Sequence, residues 1–481
     1  MMEKRCNRRR FLAALGLSAI GLSLTQATRS RHKPSIVFIL VDDLGWSDVG
    51  CYNSSTPYET PNVDRLAAGG MRFTDFYAAG PVCSPTRASI LTGKYPARTG
   101  ITTYLLSPER DAEHVTNHLE LSEQTIAEAF QKHGYATGYF GKWHLGYSRE
   151  HWATQQGFDV AKGGMDLPWA WKLAHPDNAA PPLDRNKGHT RFFSPHHLTF
   201  LENGPEGEYL TDRLTDETIR FIERNKDKAF FVLLSFHTVH TPLQAKEHVV
   251  KKYEKKMKML GLAGKKEKNR RFKRYQNNPN YAAMVQHMDE NIGRLVDRIR
   301  ELNMEDDTIV VFTSDNGGKG SVTSNYPLKG AKHDLNEGGI RVPLIVQCPG
   351  RIKAGTRCDQ PLVSNDFYPT LLAMADCPLE PEQHQDGISF KNILLGKGGK
   401  PDREALYWHY PHSRQESAVR MGDFKLIHFY RSDKVELYNL KEDIGEQNEL
   451  SAQCPALAER MLNMLRNWQK NVGARCQQTR K

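Results

Sequence analysis

The sequence predicts an α/β protein: a large, mainly parallel central sheet flanked by helices, with a smaller C-terminal α+β domain of antiparallel strands and a helix. Three observations predict it. Continuous apolar runs recur and each ends abruptly in polar residues, helical patterns fill the intervals, and beyond Asp386-Gly387 the runs become short.

The first run, Ser35-Ile36-Val37-Phe38-Ile39-Leu40-Val41, is apolar and β-branched throughout, as a strand buried on both faces must be. It stops at Asp42-Asp43. Residues 229–235 (AFFVLLS) stop at Phe236-His237-Thr238-Val239-His240, and residues 308–314 (TIVVFTS) stop at Asp315-Asn316-Gly317-Gly318. Periodic patterns between them predict helices over 121–132, 211–224 and 281–302. Strands alternating with helices make a parallel sheet, and ligands of such sheets collect beyond the carboxyl ends of the strands. The polar clusters fall there. From about residue 400, short strand-like runs at 404–408, 417–420, 425–429 and 435–438 precede a helix over 455–470. The expected division is a catalytic domain over 34–390 and a C-terminal domain over 391–481.

The N-terminus reads as a targeting segment. Asn7-Arg8-Arg9-Arg10-Phe11-Leu12 has a twin-arginine pattern, followed by an apolar run over 13–24 and small residues near Ala27. The run is short for a bilayer span, so residues 1–27 are expected to be a cleaved bacterial export signal handled by the twin-arginine machinery, with an uncleaved anchor as the alternative. A periplasmic or secreted location with no membrane span after cleavage follows. Disulfides are permitted there, but the pairing of Cys51, Cys348, Cys358, Cys377, Cys454 and Cys476 is not readable from spacing.

The formal net charge of +10 favours an anionic partner. Much of the excess lies in residues 246–274, read as a solvated helix face or insertion, or else as an electrostatic guide for a polyanion. Nucleic acid is not the expected partner, because the stretch lacks a binding motif and interleaved stacking aromatics.

Asp42, Asp43, Asp315 and Asn316 form two pairs of hard oxygen donors at two strand ends, a set suited to Ca2+ or Mg2+ rather than zinc. A lone Asp-Asn-Gly would be only a turn. The segment Pro81-Val82-Cys83-Ser84-Pro85-Thr86-Arg87, continuing to Thr92-Gly93, resembles the maturation signature of the type I, formylglycine-dependent sulfatases of the alkaline-phosphatase-like superfamily. Further segments resemble that family in order: Asp42-Asp43-Leu44-Gly45, Gly141-Lys142-Trp143-His144, Val239-His240-Thr241-Pro242, Ser314-Asp315-Asn316-Gly317, and Lys329-Gly330-Ala331-Lys332 with Glu337-Gly338-Gly339.

The resemblance implies that a separate maturation enzyme oxidises Cys83 to formylglycine (3-oxoalanine), whose hydrate attacks sulfur. It implies a metal, Ca2+ in preference to Mg2+, held by Asp42, Asp43, residue 83, Asp315 and Asn316. Arg87, Lys142 and Lys332 would stabilise the sulfate, His144 would take the proton that releases the sulfated intermediate, and His240 with Lys332 would protonate the leaving alcohol. Cations are what the chemistry needs, because the leaving oxygen gains charge as S–O breaks. His237, Trp169, Trp171, His196 and His197 are the candidates for substrate contact, with packing of irregular loops as the alternative for the tryptophans. The expected substrate is a sulfated carbohydrate, such as a glycosaminoglycan or algal-type glycan fragment. A phosphomonoester or phosphodiester hydrolase of the same fold and a non-catalytic binder of sulfated polymers are the alternatives.

Overall fold

The computed structural model describes residues 33–105, 116–164, 192–196, 198–265 and 272–475. The candidates Trp169, Trp171 and His197, residues 1–27 expected to be an export signal, and Cys476 lie outside them. In chain order the strands are β1 (Ser35–Val41), β2 (Met71–Phe73), β3 (Phe76–Tyr77), β4 (Ala136–Lys142), β5 (Val160–Gly164), β6 (Phe230–Ser235), β7 (Thr308–Ser314), β8 (Leu344–Gln347), β9 (Thr356–Cys358) and β10 (Leu362–Val363). The C-terminal strands are β11 (Leu406–Tyr410), β12 (Glu416–Met421), β13 (Phe424–Phe429) and β14 (Lys434–Asn439).

The main sheet has eight strands in the order β5-β4-β6-β1-β7-β8-β2-β9. From β5 to β7 every neighbour is parallel, and β8 then pairs antiparallel with both β7 and β2. The all-apolar strands are explained by burial on both faces. Ile36, Phe38 and Leu40 enter one core with Phe231, Leu233 and Trp143, while Val37, Ile39 and Val41 enter another with Val232, Leu234 and Met288. Helices Leu210–Arg224 and Pro279–Glu301 cover the second face through Leu214, Phe221, Ile292 and Leu295.

Register matters most for the site. Leu40 pairs with Ser235, Val41 with Ser314, and Gly141 with Ser235. The residues that follow, Asp42, Phe236, Lys142 and Asp315, therefore come out at one level along the sheet's carboxyl edge. That level is where the expected ligand site lies.

The small sheet, β11-β12-β13-β14, is wholly antiparallel. One face carries Val419, Leu426 and Leu437 against Ala458, Met461 and Leu465 of helix Pro455–Asn471. The other carries Trp408, Tyr410, Ala418 and Ile427 against Tyr77, Val82 and Leu335. Val82 adjoins Cys83 and Leu335 follows Lys332 closely, so this face braces the segments that carry both. A buried ion cluster adds to the contact: Lys425 Nζ lies 2.8 Å from Glu337 Oε1 and 3.0 Å from Glu446 Oε1.

Some boundaries differ from expectation. The helix expected over 121–132 begins at Ile126, because Thr125 caps it: its hydroxyl accepts from Glu128 N at 3.2 Å and its own N–H donates to the Glu128 carboxylate at 2.6 Å. Strand β4 was not among the apolar runs, since Gly138 and Gly141 interrupt it. Cys51, Cys83, Cys348, Cys358, Cys377 and Cys454 are all free thiols. Helix Glu247–Met259 buries a stripe of Val249, Tyr253 and Met257 and turns most of its lysines to solvent. Among the described residues, no helix is long and apolar enough to cross a membrane.

Candidate active site

Cys83 is the first residue of helix Cys83–Thr92, and Arg87 lies one turn later on the same face. Both are buried, with relative exposures of 1% and 2%. The strand ends supply the surroundings. Cys83 Sγ lies 3.4 Å from Asp42 Oδ1 and 4.0 Å from Asp43 Oδ1, with Lys142 Nζ at 3.6 Å and Lys332 Nζ at 3.4 Å.

Each cation is also tied to a carboxylate. Lys142 Nζ donates to Asp42 Oδ2 at 2.8 Å, and Lys332 Nζ to Asp43 Oδ1 at 2.6 Å. Arg87 Nε and Nη2 both reach Asp315 Oδ2, at 3.0 and 2.7 Å, while Nη1 donates to the Lys142 carbonyl and to Ser235 Oγ, both at 2.6 Å. Asn316 Nδ2 donates to Asp43 Oδ1 at 2.8 Å, and Asp43 N to Asp315 Oδ1 at 3.2 Å. Three cations thus interleave with three carboxylates around one sulfur.

The electrostatics follow from this packing. Burial works to raise the Asp42 carboxyl, but Lys142, His240, Arg87 and Lys332 outweigh it and hold it well below the usual range. Asp43 is likewise lowered, its burial outweighed by Lys332 and His240. Asp315 is pushed up to about 6 by burial and by the Asp42 charge, against the pull of Arg87. Burial raises the Cys83 thiol well above its ordinary value despite Lys142 and Lys332. It lowers His240, with Lys332 adding to the effect.

Local backbone makes the arrangement possible. Asp43 has φ 61° and His144 has φ 59°, left-handed values that side chains other than glycine seldom adopt and that cluster at functional sites. Gly141, at φ 119°, has no freedom to be anything larger: a Cβ there would sit 1.8 Å from the Ser235 carbonyl oxygen. The close crossing of β4 and β6 lets the Lys142 carbonyl meet Arg87 and Ser235 together.

The carboxylates and amide fit a hard divalent cation on their own evidence. Asp43 Oδ2 and Asn316 Oδ1 are buried acceptors that receive no hydrogen bond. Unpaired buried oxygens facing one cluster are what a cation would satisfy. Ligand-capable atoms of Asp42, Asp43, Cys83 and His240 lie within 4.8 Å of one another. His240, which the sequence reading placed in proton transfer, comes within 3.6 Å of Asp43 Oδ2 through Nε2.

The remaining candidates sit differently. His144 is buried, with Nε2 2.8 Å from the Leu105 carbonyl. His237 is buried in the turn after β6, its carbonyl accepting from His240 N at 3.1 Å. His196 faces Glu208 at 3.6 Å rather than any residue of the cluster. Lys329 donates to Tyr438 OH at 2.8 Å, away from Cys83, whereas Lys332 points at it. Sequence reasoning missed Ser235, Tyr139 and Ser314. Ser235 Oγ both accepts from Arg87 and donates to the Lys142 carbonyl at 2.8 Å, Tyr139 OH donates to the same carbonyl, and Ser314 Oγ donates to the Asn316 carbonyl at 2.9 Å. Ser235 and Ser314 end strands beside the cluster, a signal that could have found them.

Comparison with known proteins gives two family-model matches: Sulfatase over residues 34–377, and N-sulphoglucosamine sulphohydrolase, C-terminal, over residues 331–471. A sulfatase of Formosa agariphila is 30% identical, covering 91% of this chain and 89% of its own. Human steryl-sulfatase is 30% identical over 80% of this chain and 73% of its own, and mouse N-acetylgalactosamine-6-sulfatase is 31% identical over 86% and 74%. The crystal structure of Ps i-CgsB in complex with k-i-k-neocarrahexaose is 30% identical, with a TM-score of 0.72, covering 91% of this chain and 93% of that one. A phosphonate monoester hydrolase of Agrobacterium radiobacter shares the fold, with a TM-score of 0.64 at 20% identity over 91% of this chain and 96% of that one.

Proposed function

The chain belongs to the sulfatase family and is a sulfuric ester hydrolase, and from that premise we propose that it releases sulfate from a sulfated carbohydrate through a formylglycine derived from Cys83. One observation carries the reading: Cys83, buried at a helix start, has Asp42, Lys142 and Lys332 all within 3.6 Å of its sulfur. A structural cysteine has no use for such neighbours. A nucleophile derived from it, attacking an anion, does.

Asp42, Asp43, Asp315 and Asn316 would hold the divalent metal, Ca2+ or Mg2+, which would supply positive charge to the nucleophile and to the sulfate oxygens. Arg87 keeps Asp315 oriented and adds charge of its own. Lys142 and Lys332 flank the reacting position, where negative charge grows on the leaving oxygen. The hydrated aldehyde at position 83, once formed, would supply the nucleophile: one hydroxyl, ionised under the positive charge of Arg87 and the metal, would bond to sulfur as the bond from sulfur to the sugar oxygen breaks. That oxygen takes a proton from His240 or Lys332. The second hydroxyl would supply the release step, with His144 as the candidate acceptor of its proton when the bond to sulfate breaks and the aldehyde returns.

Carbohydrate is favoured by relatives of 30% identity or more, namely Ps i-CgsB in complex with k-i-k-neocarrahexaose and the N-acetylgalactosamine-6-sulfatases, although steryl-sulfatase is as similar. The twin-arginine pattern supports export to the periplasm or beyond, and a maturation enzyme acting on Cys83 is the partner this chemistry requires. We read 34–390 as the catalytic domain and 391–481 as a supporting one. The test is sulfate release from defined sulfated mono- and disaccharides set against hydrolysis of aryl phosphate. Turnover of a sulfated saccharide is expected, and a strong preference for phosphate would sink the reading.

A further inference from the structure

The turn that aims Lys332 at Cys83 has a second side. Gly330 and Asp334, which bracket Lys332, also line a cavity of about 360 Å3, a volume within the range of small-molecule sites. Three separate stretches of chain converge on it. Lys273 and Arg274 come from the segment ahead of helix Pro279–Glu301, Tyr326, Lys329 and Asn336 from the loop after β7, and Arg414 from the connection between β11 and β12.

The lining is cationic. Among the lining residues, Lys273, Arg274, Lys329 and Arg414 stand against one carboxylate, Asp334, which already accepts from Ala331 N at 3.0 Å and pairs with Arg414 at 2.7 Å, while Glu436, outside the lining, lies 3.7 Å from Lys329. Two lining residues also carry buried donors with no acceptor: Asn336 Nδ2, on a side chain whose residue is 8% exposed, and Arg414 Nε. Leaving such donors unpaired costs free energy that an incoming acceptor would recover. Tyr326 adds a third element. It is 64% exposed, and the Arg274 guanidinium lies 5.9 Å from its ring centroid. An exposed aromatic face beside cations and spare N–H donors suits a sugar ring bearing an acidic group.

We infer that this cavity binds a second acidic group of the substrate, a sulfate or carboxylate on a sugar unit neighbouring the one whose ester is cleaved. The inference rests on the sulfated-carbohydrate reading and narrows it to substrates with at least two acidic groups. The cavity shares a turn with the chemistry, because Asp334, held by Arg414, fixes the turn from which Lys332 projects. His333 N ties the same turn to the Pro81 carbonyl at 2.9 Å, two residues before Cys83.

The test uses the matured full-length enzyme, with 4-nitrophenyl sulfate as the small substrate and short dextran sulfate oligosaccharides as competitor and as ligand in direct titration. Lys273→Gln/Arg274→Gln and, separately, Tyr326→Ala probe the cavity. Lys255→Gln/Lys258→Gln removes the same charge from an exposed helix. The cavity double variant should weaken the oligosaccharide about tenfold or more, a charged hydrogen bond's worth, while KM for 4-nitrophenyl sulfate moves far less. The helix variant should change oligosaccharide affinity less than about threefold, as exposed charges do. Equal loss in both double variants, no loss in either, proportional loss for both compounds, or no binding by the wild type overturns the inference. Failure of the wild type to cleave any sulfate ester would instead strike the sulfatase chemistry, and the titration would still decide the cavity.

Discussion

Arg87→Lys preserves the charge and removes the shape. In the native site the guanidinium holds Asp315 Oδ2 through Nε and Nη2 at 3.0 and 2.7 Å, and turns Nη1 to the Lys142 carbonyl and Ser235 Oγ at 2.6 Å. A single ammonium can serve one of these arms, not both. About two charge-assisted hydrogen bonds are lost, at about 1.5–3 kcal/mol each, so the stability cost is about 3–6 kcal/mol. At about 2.1 cal/mol/K of unfolding entropy per residue, a chain this long loses about 1 °C in Tm per kcal/mol, giving a fall of about 3–6 °C. The effect on turnover should be larger in proportion, because Asp315 loses the two-pronged hold on Oδ2, keeping the Asp43 N–H on Oδ1 at 3.2 Å, and position 83 loses a fixed positive neighbour. A loss of about 100-fold or more in kcat for 4-nitrophenyl sulfate is expected, comparable to removing one preorganised donor. Ser235→Ala is the graded control. It takes one acceptor from Arg87 and should cost about 1 kcal/mol with a much smaller loss of kcat. Calorimetry and steady-state kinetics on matured protein read both quantities. If Arg87→Lys melted as predicted yet kept kcat within about threefold, the fork's part in aligning the site would be refuted.

Mass spectrometry of the peptide holding Cys83 should show a loss of about 18 Da in active protein, the change from a thiol to an aldehyde rather than a step on the usual oxidation ladder; full activity with an intact thiol would end the formylglycine reading. Cys83→Ala should fold, since a buried position 1% exposed loses only one sulfur, and should show no turnover while oligosaccharide binding persists. Chelation should abolish activity and lower Tm by removing a ligand of the native state, with calcium restoring both; unchanged activity after verified metal depletion would exclude a metal role for Asp42 and Asp43. Glu416 supplies a pH test away from the metal cluster. Burial pushes its carboxyl up to about 7, with Asp334 adding and Arg414 and Lys425 opposing. The folded state therefore retains a proton that the unfolded chain loses above about 4.5, so this group's contribution is full at low pH and is lost as pH rises to 7. The difference amounts to about 3 kcal/mol, and Glu416→Gln should flatten that slope in urea melts at pH 5, 6 and 7.5.

What was legible depended on whether a residue's role was set locally or by register. The sheet was legible because β1, β6 and β7 are unbroken apolar runs, and Asp42-Asp43 and Asp315-Asn316 stood out because such runs end at them. Strand β4 was invisible to the same criterion, since Gly138 and Gly141 dilute it, and only the family resemblance singled out Lys142. The glycine that hid the strand is what brings β4 and β6 close enough for Ser235 and the Lys142 carbonyl to share Arg87. Ser235 itself is an ordinary strand-end serine until Leu40 and Gly141 are paired across it.

Lys329 and Lys332 make the same point within one loop. Residue type does not separate them, and only spacing within the family's segment favours Lys332 over Lys329. Gly330 separates them, at φ 79°: the chain reverses there, sending Lys329 to Tyr438 and Lys332 to Cys83. The two lysines then face different problems. Lys332 lies among Asp42, Asp43 and position 83, and Lys329 lines the neighbouring cavity. If that cavity takes a second acidic group, one reversal of the chain divides the positive charge of a single segment between the ester that is cleaved and the neighbour that is kept. Lys329→Gln should then weaken oligosaccharides and spare 4-nitrophenyl sulfate, while Lys332→Gln should lose turnover of both. Equal behaviour of the two variants would mean that the reversal at Gly330 has no such consequence.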